Sequence, residues 1–158
     1  MGVRSDLIAE QNALDRIVSS IETSQWGLES PSPGWSVADQ IAHLAYFDNA
    51  AALAISDPEQ FQNMVDDLLA MFSRGDDAEA SMLASYRLMS PDELLSSWRE
   101  ARLTLADTSG DLTDKRRVVW YGPSMGSKSF LTARLMEVWA HGQDILDAVG
   151  LERDETDR

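Results

Sequence analysis

Apolar positions in this chain recur three and four residues apart almost from end to end. That spacing lines side chains along one face of an α-helix. Leu7, Leu14, Val18 and Ile21 mark a first helix that fades near Ser24. Residues 27–34, with Pro31 and Pro33 between two glycines, form a loop. Ser36 reads as an N-cap with Asp39 three residues on, where an acid suits the positive end of the helix dipole. Val37, Ile41, Leu44 and Phe47 then stripe a second helix as far as Ile55. Asp57-Pro58-Glu59-Gln60 restarts a helix, carried on by Phe61, Val65, Leu68, Leu69 and Phe72 and stopped at Arg74-Gly75. A shorter helix is expected over 78–88.

Ser90-Pro91-Asp92-Glu93 is the plainest start signal, an N-cap, a proline at the first turn and a capping-box glutamate. Leu94, Leu95, Trp98 and Leu105 follow, and Ser109-Gly110 ends the segment. Residues 111–126 break the pattern: Val118-Val119-Trp120-Tyr121 could be briefly extended, and 122–126 is rich in turn residues. A last helix is expected from Ser129 to a C-terminal Gly150, followed by a charged, frayed tail over 151–158. No internal repeat or alternating strand pattern is evident. Four long helices and one or two short ones predict an all-α bundle over residues 1–150.

Composition narrows what such a bundle could do. The 158 residues suit one domain, and 44% hydrophobic content is enough for a core without disulfides. The absence of cysteine excludes a thiolate zinc site, an iron–sulfur cluster and a cysteine nucleophile. A net charge of −14, with no basic cluster beyond Lys115-Arg116-Arg117, argues against nucleic acid as a partner. No apolar run has the length of a signal peptide or a membrane span, and Asp6 spoils a myristoylation motif at Gly2. The expectation is a cytoplasmic protein with no membrane partner.

Candidate chemistry rests on the two histidines, His43 and His141, both in expected helices. Glu137 lies four residues before His141, so a helix puts both on one face. Arg134 and Asp144 extend that stripe in either direction. Spacing alone leaves two readings open, a solvated helix face or a metal-ligand pair of the kind bundles build from inward carboxylates and imidazoles. Gly122-Pro123-Ser124-Met125-Gly126 formally matches the nucleophile-elbow string, but that elbow needs a preceding strand and an α/β sheet, neither of which is expected here.

Trp35-Ser36-Val37-Ala38-Asp39-Gln40-Ile41-Ala42-His43-Leu44-Ala45, with Asp48 following, resembles the second helix of the DinB-like superfamily, and in particular its mycothiol-dependent maleylpyruvate isomerase N-terminal-domain branch. Arg134-Leu135-Met136-Glu137-Val138-Trp139-Ala140-His141-Gly142-Gln143-Asp144 resembles the last bundle helix of that branch. The loop from Trp120 to Met125 is similar to that of a metal-binding subgroup. Together these segments bracket residues 35–150.

The resemblance implies a DinB-like four-helix bundle in which His43, Glu137 and His141 bind a divalent metal. Two imidazoles and a carboxylate leave one position open, as in catalytic zinc sites, and the set also suits nickel or iron(II). Asp48, Arg134 and Asp144 are then candidates to support the ligands, with Asp144 orienting His141 or Asp48 pairing with Arg134. Trp120, Tyr121 and Trp139 are candidates to line a pocket. The implied activity is a transferase or isomerase in which the metal activates a low-molecular-weight thiol, mycothiol or a similar one, for attack on a small electrophile. The alternative is a metal- or ligand-binding module without turnover. The branch also implies a homodimer. Its full-length members carry a further C-terminal domain that helps form the active site, so maleylpyruvate isomerization itself is not expected of these residues alone.

Overall fold

The start signals act where the sequence puts them. Ser36 Oγ accepts from the Asp39 backbone N–H at 3.2 Å, while the Asp39 carboxylate accepts from the Ser36 N–H at 2.9 Å. Ser90 and Glu93 form the same reciprocal pair. The computed structural model describes residues 2–157; Met1 and Arg158, the latter the end of the expected tail, lie outside the described residues. Its helices are α1 (Gly2–Val18), α2 (Val37–Ser56), α3 (Pro58–Ser73), α4 (Ala78–Leu83), α5 (Pro91–Thr108) and α6 (Ser127–Val149). The chain is an all-α bundle, as the sequence predicts.

Four long helices form the bundle. The second, α2, packs against α5 on one side and α6 on the other, and α1 closes the ring against α6 and α5. Ile41, Leu44 and Ala51 of α2, Trp98 and Leu105 of α5, and Leu131, Val138 and Ile145 of α6 are fully buried. Several small residues on α2 (Ala42, Ala45, Ala51, Ala54) allow close approach of its neighbours. Burial of each large apolar side chain contributes about 1.5–3 kcal/mol. The third and fourth helices, with a 3₁₀ turn at Tyr86–Leu88, lead from α2 to α5 and lie against α2.

The short helix expected over 78–88 is divided into α4 and the 3₁₀ turn at Tyr86–Leu88, and three further boundaries differ from the sequence expectation. The first helix ends at Val18 rather than near Ser24, because Ser19 and Ser20 turn their hydroxyls back onto Asp15 Oδ1 (2.9 Å) and the Ile17 carbonyl (2.7 Å). Short hydroxyl side chains compete in this way with helix continuation. Ile21 still packs against the core, and a 3₁₀ turn spans Thr23–Gly27. The extended segment is Arg117–Val118, paired antiparallel with Met125–Gly126, so Trp120 and Tyr121 sit in the turn between the two short strands. The last helix consequently starts at Ser127, whose buried hydroxyl donates to the Arg116 carbonyl at 2.6 Å. It stops at Gly150, whose φ of +71° is costly for any side-chain-bearing residue.

The start of the tail is anchored rather than frayed. Arg153 donates to Glu10 Oε1 at 2.8 Å and to the Trp139 carbonyl at 2.9 Å, and its guanidinium lies 5.0 Å from the Trp139 ring centroid. Among the described residues, no helix is long and apolar enough to cross a membrane.

Candidate metal centre

Two bundle neighbours, α2 and α6, bring the candidate ligands together. One potential donor atom from each of His43, Glu137 and His141 lies within 4.8 Å of the others. Both imidazole Nε2 atoms face the same carboxylate oxygen: Glu137 Oε2 is 3.1 Å from His43 and 3.2 Å from His141. The two rings lie 4.1 Å apart between centroids. Both histidines are mostly buried, whereas the Glu137 side chain is 42% exposed, so the cluster opens to solvent on one side.

The electrostatics favour the protonation states that bind metals. Hydrogen bonding from His141, then from His43, holds the Glu137 carboxyl well below the ordinary carboxylate range. Burial lowers His43, outweighing the opposite pull of Glu137. An anionic carboxylate and a neutral imidazole are the ligand forms of both groups. Two ring nitrogens converging on one carboxylate oxygen also need a cation or shared protons between them, since lone pairs alone would repel. Two imidazole nitrogens and a carboxylate are a donor set that fits a divalent cation.

The surrounding residues divide differently from the sequence expectation. Asp144 does not touch His141: its Oδ2 accepts from Ser32 Oγ (2.6 Å) and Gln40 Nε2 (3.1 Å). It is Gln40, fully buried on α2, whose Oε1 meets His141 Nδ1. Asp48 and Arg134 do face each other, with Arg134 Nε 3.9 Å from Asp48 Oδ1, and both are buried. That burial rules out a solvated face at Arg134. Asp48 Oδ2 also accepts from Gln11 Nε2 at 2.9 Å and Trp98 Nε1 at 3.3 Å. Burial raises the Asp48 carboxyl to about 6 despite the nearby Arg134 charge.

The aromatic wall includes two residues that were not among the expected pocket residues. Trp35 lies 5.3 Å from the His43 ring and stacks 6.0 Å from His141, with its indole N–H donating to Glu79 Oε1 of α4 at 2.7 Å. Phe47, one turn beyond His43, packs at 4.5 Å from that ring. Trp120 and Tyr121 stand behind Phe47, at 6.3 and 5.7 Å. Trp139 belongs elsewhere: it is 54% exposed and borders a cleft of about 840 Å³ between α1, α6 and the tail. Gln40 and Phe47 could have been found by asking which residues lie three or four positions from His43. Trp35 precedes the helix, and no periodicity marks it. Ser124 of the elbow-like string accepts from Arg117 Nε at 2.9 Å in the turn between two-residue strands, which is no nucleophile elbow.

Comparison with known proteins agrees with this architecture. The family model described as the mycothiol maleylpyruvate isomerase N-terminal domain matches residues 7–146. Two uncharacterized proteins of Mycobacterium tuberculosis strains are each 39% identical over 154 residues, covering 98% of this chain and 59% of their own length. The chain thus spans about three-fifths of the curated relatives it matches. A crystal structure of the mycothiol-dependent maleylpyruvate isomerase superposes with a TM-score of 0.66 at 20% identity, covering 91% of this chain and 59% of that one. A histidine-to-alanine mutant of that enzyme matches with the same values. At that identity the likeness speaks for the fold.

Proposed function

The chain belongs to the mycothiol maleylpyruvate isomerase N-terminal domain family, and from that premise we propose that it is a metal-binding, thiol-dependent transferase or isomerase module. His43, Glu137 and His141 hold a divalent ion, zinc by preference, and residues 1–150 act as one bundle around it. The convergence of two imidazole nitrogens on one carboxylate oxygen carries this reading. A bound divalent ion supplies Lewis acidity, which lowers the pKa of a thiol that reaches it.

The chain's own residues have defined tasks. With no cysteine in the sequence, the thiol comes from a small molecule, mycothiol or a similar compound. Trp35 and Phe47 flank the histidines and limit water on the apolar side. The exposed edge at Glu137 is the side from which thiol and electrophile enter. Because the family's longer members extend beyond this bundle, the choice of electrophile is left to the test rather than set as maleylpyruvate.

The experiment measures metal in the purified protein, then thiol consumption against a panel of small electrophiles. About one zinc per chain and metal-dependent thiol loss are expected. Far less than one equivalent after zinc incubation would sink the metal site. Stoichiometric zinc with no thiol consumption above a metal-stripped control would make the bundle a binding module. Because the protein has no thiols of its own, the readout carries no background from the chain.

A further inference from the structure

The polar groups behind His141 form a chain of hydrogen bonds whose direction is set by the Asp144 carboxylate. Ser30 has one hydroxyl proton, donated to the Trp35 carbonyl at 2.9 Å. Ser32 donates its own to Asp144 Oδ2 at 2.6 Å. The Gln40 side-chain amide touches both Ser30 Oγ, at 2.9 Å, and Asp144 Oδ2, at 3.1 Å. Both partners can only accept there, so the amide must turn its NH₂ group toward them. The opposite orientation would press a carbonyl oxygen against a carboxylate inside the protein. The Gln40 oxygen therefore faces His141 Nδ1, and being an acceptor it demands a proton on that nitrogen.

From this geometry we propose that Gln40 is a positioning residue that keeps a proton on His141 Nδ1 and so reserves Nε2, the nitrogen facing Glu137, for the metal. Asp144, Ser30 and Ser32 act through it by fixing the direction of its amide. This rests on the metal-binding reading above and adds the device that prepares one ligand for it. Gln40 is 0% exposed, so no water competes for the Nδ1–H. A free neutral imidazole exchanges between tautomers, and a nitrogen that carries the proton cannot ligate a metal. Partners behind a ligating histidine are typically worth about 10–100-fold in metal affinity. The device is asymmetric. His141 is held from the loop over residues 30–32 and from α2, so that loop and the metal centre are linked through one glutamine.

The test reads the tautomer directly, in metal-free protein, by ¹⁵N NMR of the imidazole nitrogens, and zinc affinity separately by competition titration. In the wild type His141 Nδ1 should be protonated, and any proton shared between Nε2 and Glu137 is the one that zinc displaces. Gln40→Met fills similar volume without an acceptor, and should release the tautomer and weaken zinc about 10–100-fold. Asp144→Asn, whose carboxamide oxygen can still accept from Gln40, should keep the wild-type tautomer; Asp144→Ala should loosen it. Should Gln40→Met fail to fold by circular dichroism, the pair of Asp144 variants carries the same comparison. An unprotonated Nδ1 in the wild type, or an unchanged Nδ1 proton and affinity in Gln40→Met and Asp144→Ala, would overturn the proposal. Wild-type protein with the Nδ1–H tautomer but no zinc binding would overturn the ligand-positioning role through failure of the metal site itself, a result distinct from failure of the hydrogen bond.

Discussion

Replacing Asp48 by Asn sets two forces against each other inside the bundle. Burial disfavours the charged carboxylate, and the Arg134 guanidinium, 3.9 Å away, favours it. The balance raises the carboxyl from 3.8 to about 6, so burial wins. Between those two values the folded protein holds a proton that the unfolded chain has released. Stability therefore falls as pH rises through that window, and the loss is complete above the folded value. At about 1.4 kcal/mol per pH unit, the change amounts to about 3 kcal/mol. Asparagine resembles the neutral carboxyl and does not titrate, and its oxygen can still accept from Gln11 and Trp98. Urea unfolding of metal-free wild type and Asp48→Asn, compared from pH 4 to pH 7, isolates the effect, because every other titrating group is common to both. The two should be close near pH 4, and the variant should gain about 2–2.5 kcal/mol relative to wild type between pH 4 and pH 7. A constant difference would refute the reasoning. A gap moving the other way would show that the Arg134 charge outweighs burial.

Two further outcomes follow from the metal centre and from the start of α2. Zinc at about one hundred times its Kd should stabilise the fold by about 2.7 kcal/mol, which is roughly 5–10 °C in melting temperature for a chain of this size. His43→Ala or His141→Ala should abolish that shift in a thermal melt; an intact shift would show that the ligands lie elsewhere. Ser36→Ala removes the hydroxyl that caps α2 and accepts from Asp39. It should cost about 1 kcal/mol, lowering the melting temperature of the metal-free protein by roughly 2–4 °C. No change would mean that Asp39 and water satisfy the helix end without it.

Much of the bundle was legible in the chain because helix formation is largely local. Apolar spacing located α2, α3, α5 and α6 to within a few residues, and the caps at Ser36, Asp57 and Ser90 act as their residue types suggest. The misplaced end of α1 and the short strand pair depend on competition between nearby hydroxyls and the backbone and on a pairing seven or more residues apart, which periodicity does not report. Glu137 and His141 were bound to be neighbours by a spacing of four on one helix.

Everything that joins helices was decided only by the tertiary structure. His43 meets that pair because α2 packs against α6 in one particular rotation, and periodicity describes each helix without its neighbour. The same packing buries Arg134 against Asp48, turns Trp139 away toward the tail, and inserts Gln40 between Asp144 and His141. A ligand pair can be written into a single helix, whereas a third ligand and the group that orients one of them exist only once two surfaces have been pressed together.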